Sequence, residues 1–234
     1  DHVGDGLDQR HGARLLHTIP CGLFHVGTVG NTDWMCITIN RRTAMVLPAA
    51  MITTGLEWSR SLAATTETID DLSQKSPRAS NGAAWELVAD RVMGGVSNGT
   101  MRRMVVQGRA AIQMQGDVSL ENNGGFIQIA LGLAPDGAAI DASRWAGIEI
   151  DVIGNNESYN LHLRTAELAR PWQSYRQSFI ARPEWQTVRL LFADFEAHRI
   201  DAPLNLSMLR RIGIVAIGRA FHADISIGGV RFHS

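Results

Sequence analysis

The chain has 234 residues, enough for one large all-β domain or two small ones, and 45% of them are hydrophobic, which permits a sizeable core. Its formal net charge of −1 argues against nucleic acid or an anionic membrane as a partner, because both require a basic surface. The sequence contains no apolar run of the roughly 20 residues that a transmembrane segment needs.

Residues 1–39 show neither a clear period nor a repeat and stay unassigned. They hold both cysteines, Cys21 and Cys36, and four histidines, without the spacing of a zinc site. No H-E-x-x-H motif occurs in the chain, so we predict no metal site and no cofactor. Three interpretations of this segment stay open: a fragment, a loosely packed arm, or sequence upstream of the true translation start.

Residues 40–64 have the layout of a secretory signal. The pair Arg41-Arg42 precedes an uncharged, mostly apolar stretch over 44–56, and Ser61 and Ala63 are spaced like a signal-peptidase site. The arginine pair is typical of a twin-arginine export signal. We therefore expect a periplasmic or otherwise exported protein. The alternative is a buried helix flanked by arginines in a cytoplasmic protein.

Residues 65–84 are polar, which predicts a linker to a β-domain over 85–234. Within this stretch, Asp70-Asp71-Leu72 can begin a short first element. The composition changes at Trp85, where strand-like runs begin.

After residue 85, short strand-like runs are separated by Gly, Asn, Asp and Pro. In 148–152 the apolar residues share one face and the two carboxylates share the other, as in a half-buried strand. Only 204–211 resembles a helix. Many short strands without helical periodicity favour a β-sandwich or barrel over an α/β fold. The predicted strands are 85–89, 101–106, 110–114, 125–130, 147–152, 159–164, 175–180, 186–192, 212–217 and 223–232.

The run Gly95-Val96-Ser97-Asn98-Gly99 matches G-x-S-x-G, the nucleophile elbow of α/β-hydrolases. That elbow needs a strand before the serine and a helix after it. Here 101–106 is a predicted strand, and the chain has no βαβ alternation. We interpret the run as a tight turn and predict no catalytic residue. A serine hydrolase that uses Ser97 is the remaining catalytic alternative.

Two carboxylate pairs, Glu149 with Asp151 and Asp194 with Glu196, are possible acids of a glycosidase. Because Glu149 and Asp151 are two positions apart on the outer face of a strand, we expect them to be solvated.

Tryptophans in the β-region differ in their sequence context. Trp145 and Trp185 each stand just before a predicted strand, which indicates core positions. Trp172 lies in a polar loop that leads into a strand. It is the best candidate for an exposed aromatic side chain that stacks on a sugar or anchors a protein partner.

Several segments together resemble the complex I intermediate-associated protein 30 family. Residues 90–97, D-R-V-M-G-G-V-S, resemble its D-x-V-M-G-G-x-S signature. Residues 116–126, G-D-V-S-L-E-N-N-G-G-F, resemble its G-x-V-S-L-x-N-N-G-G-F stretch. Shorter matches follow in the family's order at 159–165, 172–179, 185–188, 192–195 and 212–214. Arg91 departs from the family pattern, which often has a small or polar residue there.

The resemblance implies a galactose-binding-like jelly-roll β-sandwich and, for mitochondrial members, a role in assembling respiratory NADH:ubiquinone oxidoreductase (complex I). We therefore predict a non-catalytic binding domain with a protein partner, such as a respiratory-complex subunit. The alternative is an exported carbohydrate-binding module of the same fold. The candidate binding residues are Asp90, Arg91, Met93, Gly94, Gly95, Ser97, Asn122, Asn123, Gly124, Gly125, Arg164, Trp172 and Tyr175.

The two glycine-rich turns carry most of these candidates. Gly95 and Gly124 are expected to need a positive φ, which glycine adopts readily. Asp90 is expected to hydrogen-bond backbone groups of its own turn, so that Asp90→Ala would cost about 1 kcal/mol of stability. Such turns are either the frame of a binding surface or purely structural, and the sequence leaves both open.

Overall fold

The computed structural model describes residues 65–75 and 77–234, which form twelve β-strands and four short 3-10 turns. The strands are β1 Thr66–Asp70, β2 Trp85–Ala89, β3 Asn98–Val106, β4 Arg109–Val118, β5 Phe126–Gly132, β6 Gly147–Gly154, β7 Glu157–Thr165, β8 Ser174–Ala181, β9 Gln186–Leu191, β10 Glu196–His198, β11 Leu209–Ile217 and β12 Phe221–His233.

The strands form two antiparallel sheets that pack as a sandwich. The first sheet has the order β3-β4-β12-β6-β9, and β1 also pairs with β12. The second has the order β10-β8-β7-β11-β5-β2. Apolar residues at alternate positions of both sheets meet in one buried cluster, which includes Ile150 of β6, Leu161 of β7 and Ile214 of β11. Full burial of one such side chain contributes roughly 1.5–3 kcal/mol, so this core is the main source of stability. The predicted all-β jelly-roll sandwich is confirmed.

Each of the ten predicted strands is present; the strand over 85–89 has the predicted bounds, and the other nine have shifted ends. The short strands β1 and β10 were not predicted. The predicted helix over 204–211 is wrong, because that stretch holds one 3-10 turn, Leu206–Met208, before β11 begins at Leu209. Trp145 packs against the core and stacks on Phe232. Trp185 instead lies half-buried against Gly228 of β12.

The predicted linker over 65–84 is part of the sandwich. Its first residues form β1, which pairs with the end of β12, and Ile69 and Leu72 are buried in the core. Asp70 is fully buried and accepts hydrogen bonds from the backbone N–H of Leu72 and from Nε1 of Trp85, at 2.9 and 2.7 Å. A polar composition suggested a linker, but a buried carboxylate attaches this stretch to the domain.

The predicted segments 1–39 and 40–64 lie outside the described residues, and the export signal therefore stays a prediction. Within the part of the chain that the structure describes, no helix has the length and apolar character needed to cross a membrane.

Candidate functional site

The first group of candidate residues surrounds the carboxylate of Asp90, which is fully buried. Its Oδ1 accepts a hydrogen bond from Ser97 N at 3.0 Å. Its Oδ2 accepts from Ser97 Oγ at 2.5 Å, Gly125 N at 2.6 Å and Phe126 N at 3.3 Å. We call Asp90, Ser97, Gly125 and Phe126 the Asp90 clamp. The clamp joins the turn after β2 to the loop before β5.

The clamp carboxylate is ionised at neutral pH. Burial by itself would raise the pKa of Asp90, but hydrogen bonds from Ser97, Gly125 and Phe126 outweigh burial and hold that pKa below its usual range. Ser97 Oγ also accepts a hydrogen bond from Ser119 N at 2.9 Å. No histidine in the described residues hydrogen-bonds Ser97 Oγ, and β3 follows where a nucleophile elbow needs a helix. Ser97 thus holds the two loops together.

Gly95 and Gly124 are needed for contact, not for backbone freedom. The positive φ values occur one residue away, at Gly94 (91°) and Gly125 (135°), so the prediction for Gly95 and Gly124 is wrong. A Cβ on Gly95 would collide with the Asp90 carboxyl group, and a Cβ on Gly124 would lie 2.5 Å from Asp90 Oδ2. Both glycines therefore let the backbone pack directly on the clamp carboxylate.

Four apolar side chains stand in solvent on the loops that the clamp joins, and we call them the apolar tip. Val92 is 76% exposed, Met93 57%, Val96 41% and Leu120 54%. Hydrogen bonds between Ser97 and Ser119 hold Val96 and Leu120 on adjoining loops. Sequence reasoning included only Met93. The missed signal was the presence of apolar residues inside two glycine-rich turns, where turn residues are normally polar.

Three other candidates of this group, Arg91, Asn122 and Asn123, belong to the same two loops. Arg91 and Asn122 are exposed, and Asn122 adopts a left-handed conformation with φ of 55°. The side chain of Asn123 lies outside the described part of the structure.

The second group of candidates lies around the loop between β7 and β8. Arg164 Nη1 donates hydrogen bonds to the carbonyl oxygens of Arg170, Pro171 and Gln173, at 2.6–3.0 Å, and so braces the loop that carries Trp172. Tyr175 is 2% exposed, and its hydroxyl donates to Pro203 O at 2.9 Å. Tyr175 was predicted to bind a ligand, but it is a core residue that faces away from solvent.

The two groups do not form one surface. Along β11, Ile217 pairs with Phe126 of the clamp, whereas Leu209 pairs with Thr165 beside Arg164. Eight residues at a strand rise of 3.3 Å separate these positions by about 26 Å. The candidate residues therefore fall into two separate groups at opposite ends of the second sheet.

Glu149 and Asp151 are buried, each 4% exposed, so the prediction that they are solvated is wrong. Arg189 binds Glu149 at 2.6 Å, and Arg231 binds both carboxylates. Burial would raise the pKa of Asp151, but hydrogen bonds from Arg231 and Thr187 and the charges of Arg231 and Arg109 lower it to about 2. Both carboxylates are ionised at neutral pH, which is unsuitable for a general acid.

A comparison with models of known families shows which family the chain belongs to. The model of complex I intermediate-associated protein 30 matches residues 72–227. The chain belongs to the complex I intermediate-associated protein 30 family. A search of curated proteins finds no match.

The fold of this complex I intermediate-associated protein 30 domain also occurs in carbohydrate-binding modules. A family 11 module of a cellulosomal cellulase of Clostridium thermocellum aligns with a TM-score of 0.58 and 12% identity, over 73% of this chain and 95% of the module. A family 11 module from the same organism, in complex with a β-1,3-1,4-mixed-linked tetrasaccharide, aligns with a TM-score of 0.56 and 12% identity, over 71% and 94%. A family 30 module aligns with a TM-score of 0.52 and 14% identity, over 75% and 89%. At these identities the likeness shows the fold.

The two signature segments of the family meet at one carboxylate in this complex I intermediate-associated protein 30 domain. Asp90, Gly95 and Ser97 come from the first segment, and Gly124 and Gly125 come from the second. These signature residues set the shape of the loops.

Trp172 is exposed as predicted, at 47%, with the Arg170 guanidinium 5.9 Å from the centre of its ring. We expect Trp172→Ala to lower the free energy of unfolding by about 1–2 kcal/mol at most, because only about half of the side chain is buried. The matched variant Trp85→Ala removes a ring that is 2% exposed and should cost about 3–5 kcal/mol. Thermal unfolding of both variants tests this, and a strongly destabilised Trp172→Ala protein would contradict it.

Proposed function

We propose that this domain is a non-catalytic binding domain that docks on a protein through the apolar tip, as an assembly factor for respiratory NADH:ubiquinone oxidoreductase. One observation carries the proposal: Val92, Met93, Val96 and Leu120 are exposed on loops that a buried carboxylate holds in place. Exposed apolar patches commonly mark protein interfaces, and a preorganised surface loses little entropy on binding.

The class of partner follows from the family, whose description names association with a complex I intermediate. The apolar side chains suit a hydrophobic groove on such a partner. Arg91 is exposed and directly precedes Val92 of the tip, which favours an acidic rim around that groove.

The test combines Val92→Asp and Met93→Asp in one tip variant. We expect this variant to lose the partner, because a charge on each of two central anchors should weaken binding by about 2 kcal/mol or more, roughly 30-fold. The measurement is affinity purification from the native organism, with mass spectrometry of the recovered subunits.

The matched control is Val105→Asp. Val105 is an equally exposed valine, at 67%, but it lies on β3 away from the tip. Recovery of NADH:ubiquinone oxidoreductase subunits with the wild type and the control, but not with the tip variant, supports the proposal. Equal recovery with the tip variant, or no such subunit with the wild type, rejects it.

Carbohydrate recognition is the second candidate function. It is favoured by Trp172, which presents about half of its surface on a loop braced by Arg164 and is suited to stacking on a sugar ring. One solved structure of similar fold holds a mixed-linked tetrasaccharide. Cell fractionation separates the candidates, because assembly of the peripheral arm of complex I takes place in the cytoplasm or matrix, whereas the predicted export signal leads to the periplasm.

A further inference from the structure

The first sheet has a gap along one edge of β12. β4 pairs with β12 as far as Ile227, and β1 takes over at Val230, where it pairs through Asp70. Gly228 and Gly229 lie between these two ladders, at a bulge in β12. A cleft of about 420 Å³ opens at this gap. Its volume falls within the roughly 300–1,000 Å³ of typical small-molecule sites.

Charged groups of both signs line the cleft. Asp151 and Arg231 are joined by hydrogen bonds of 2.7 and 3.2 Å, and their side chains are 6% and 24% exposed. Arg109, Thr68 and Asp71 also line it and are exposed to solvent. The cleft therefore offers guanidinium donors beside carboxylate and hydroxyl acceptors.

Arg109 is fixed in place over the cleft. Its Nη2 donates to Asp151 Oδ2 at 2.5 Å, and its guanidinium lies 5.0 Å from the centre of the Trp185 ring. A Cβ on Gly228 would lie 2.9 Å from the Trp185 ring, so only glycine fits against that ring. The other nitrogens of Arg109 make no hydrogen bond to the residues that the structure describes, and they remain available to a ligand.

The charges in and around the cleft balance, which indicates a neutral ligand. Three carboxylates line the cleft, Asp70, Asp71 and Asp151, against two guanidinium groups, Arg109 and Arg231, and a third guanidinium, Arg103, forms an ion pair with Asp70. A ligand with a net charge would gain no net Coulomb attraction here. A ligand with several hydroxyl groups can both accept from Arg109 and donate to Asp71, as the paired donors and acceptors require.

We infer that this cleft binds a neutral saccharide unit, with Arg109 as the main hydrogen-bond donor, held in place by Trp185 behind it. The inference rests on carbohydrate recognition, the second candidate function, and assigns it a site other than Trp172.

The experiment titrates the full chain with cellotetraose, with a β-1,3-1,4-mixed-linked tetrasaccharide and with tetragalacturonide. Calorimetry measures the affinity, and NMR of the backbone amides and tryptophan indoles locates the binding site. We expect a neutral tetrasaccharide to bind and to shift the signals of Gly228, Gly229 and the Trp185 indole. Arg109→Gln should raise its Kd at least about tenfold.

Arg189→Gln is the matched control. Arg189 also binds one of the two buried carboxylates, but it does not line the cleft, and its loss should change the Kd by no more than about twofold. Thr68→Phe is a second test. Thr68 is exposed and pairs with Arg231 across β1 and β12, so an aromatic ring there should block the cleft and reduce binding as Arg109→Gln does. Melting temperatures confirm that the variants fold.

Each other outcome rejects the inference at a different level. Saccharide binding that is lost in Trp172→Ala but kept in Arg109→Gln and Thr68→Phe would support carbohydrate recognition and show that the cleft is not the binding site. Preference for tetragalacturonide would contradict the inference that the ligand is neutral. Binding of none of the three saccharides would overturn both the inference and the candidate function on which it rests.

Discussion

Asp90→Ala is expected to lower the free energy of unfolding by about 3–5 kcal/mol. The buried carboxylate accepts four hydrogen bonds, and its loss leaves the backbone N–H groups of Ser97, Gly125 and Phe126 without an acceptor. Each buried donor that loses its partner costs about 1–3 kcal/mol. The two loops that carry the apolar tip should also separate, so binding to a protein partner should weaken together with stability.

Urea-induced unfolding measures this effect. Asp71→Ala is the matched control, since Asp71 also accepts hydrogen bonds from nearby serines but is exposed, and its loss should cost about 1 kcal/mol or less. Gly124→Ala should destabilise as well, because its Cβ would meet Asp90 Oδ2. A loss of only about 1 kcal/mol in Asp90→Ala would mean that Asp90 acts as an ordinary turn residue and that the clamp does not hold the loops.

Arg231→Met should likewise cost about 3–5 kcal/mol near neutral pH. Arg231 is the one guanidinium in the described residues that binds both Glu149 and Asp151, which are buried. Removal of one partner from a buried ion pair leaves an uncompensated charge, which is strongly destabilising. Arg189→Met is the control. Its side chain is 65% exposed and binds Glu149 alone, so about 1 kcal/mol or less is expected.

The pH dependence of this effect has a definite sign. The pKa of Asp151 is lowered from 3.8 to about 2 in the folded protein, so its ion pairs stabilise the fold above the usual pKa. This stability, roughly 1–2 kcal/mol after screening at the open rim, is lost as the pH falls from about 4 towards about 2. Without Arg231, burial raises both carboxyl pKa values, and protonation relieves the unpaired charge. The difference between wild type and Arg231→Met should therefore shrink below about pH 4. A difference that does not change with pH would show that Arg231 contributes only packing.

Periodicity and turn residues were sufficient to predict the fold class. Alternation such as Ile148-Glu149-Ile150 is a property of a strand by itself, because successive side chains point to opposite faces. Loops rich in polar residues remain at the surface, which is why the exposure of Trp172 was also predictable. The two family signatures could be recognised from the order of their residues alone, without any knowledge of what those residues contact.

The sequence by itself determined that this chain is an all-β sandwich of a known family, with an exposed tryptophan in one loop. Only the tertiary structure decided what the polar residues do, because their partners are far along the chain. The Asp90 carboxylate binds Gly125 N across 35 positions, and Glu149 binds Arg189 across 40 and Arg231 across 82. Local propensity cannot foresee such pairs, since they exist only after the strands have taken their order in the sheet. For the same reason β1 was predicted to be part of a linker. Its five residues become a strand only because the end of β12 offers a free edge.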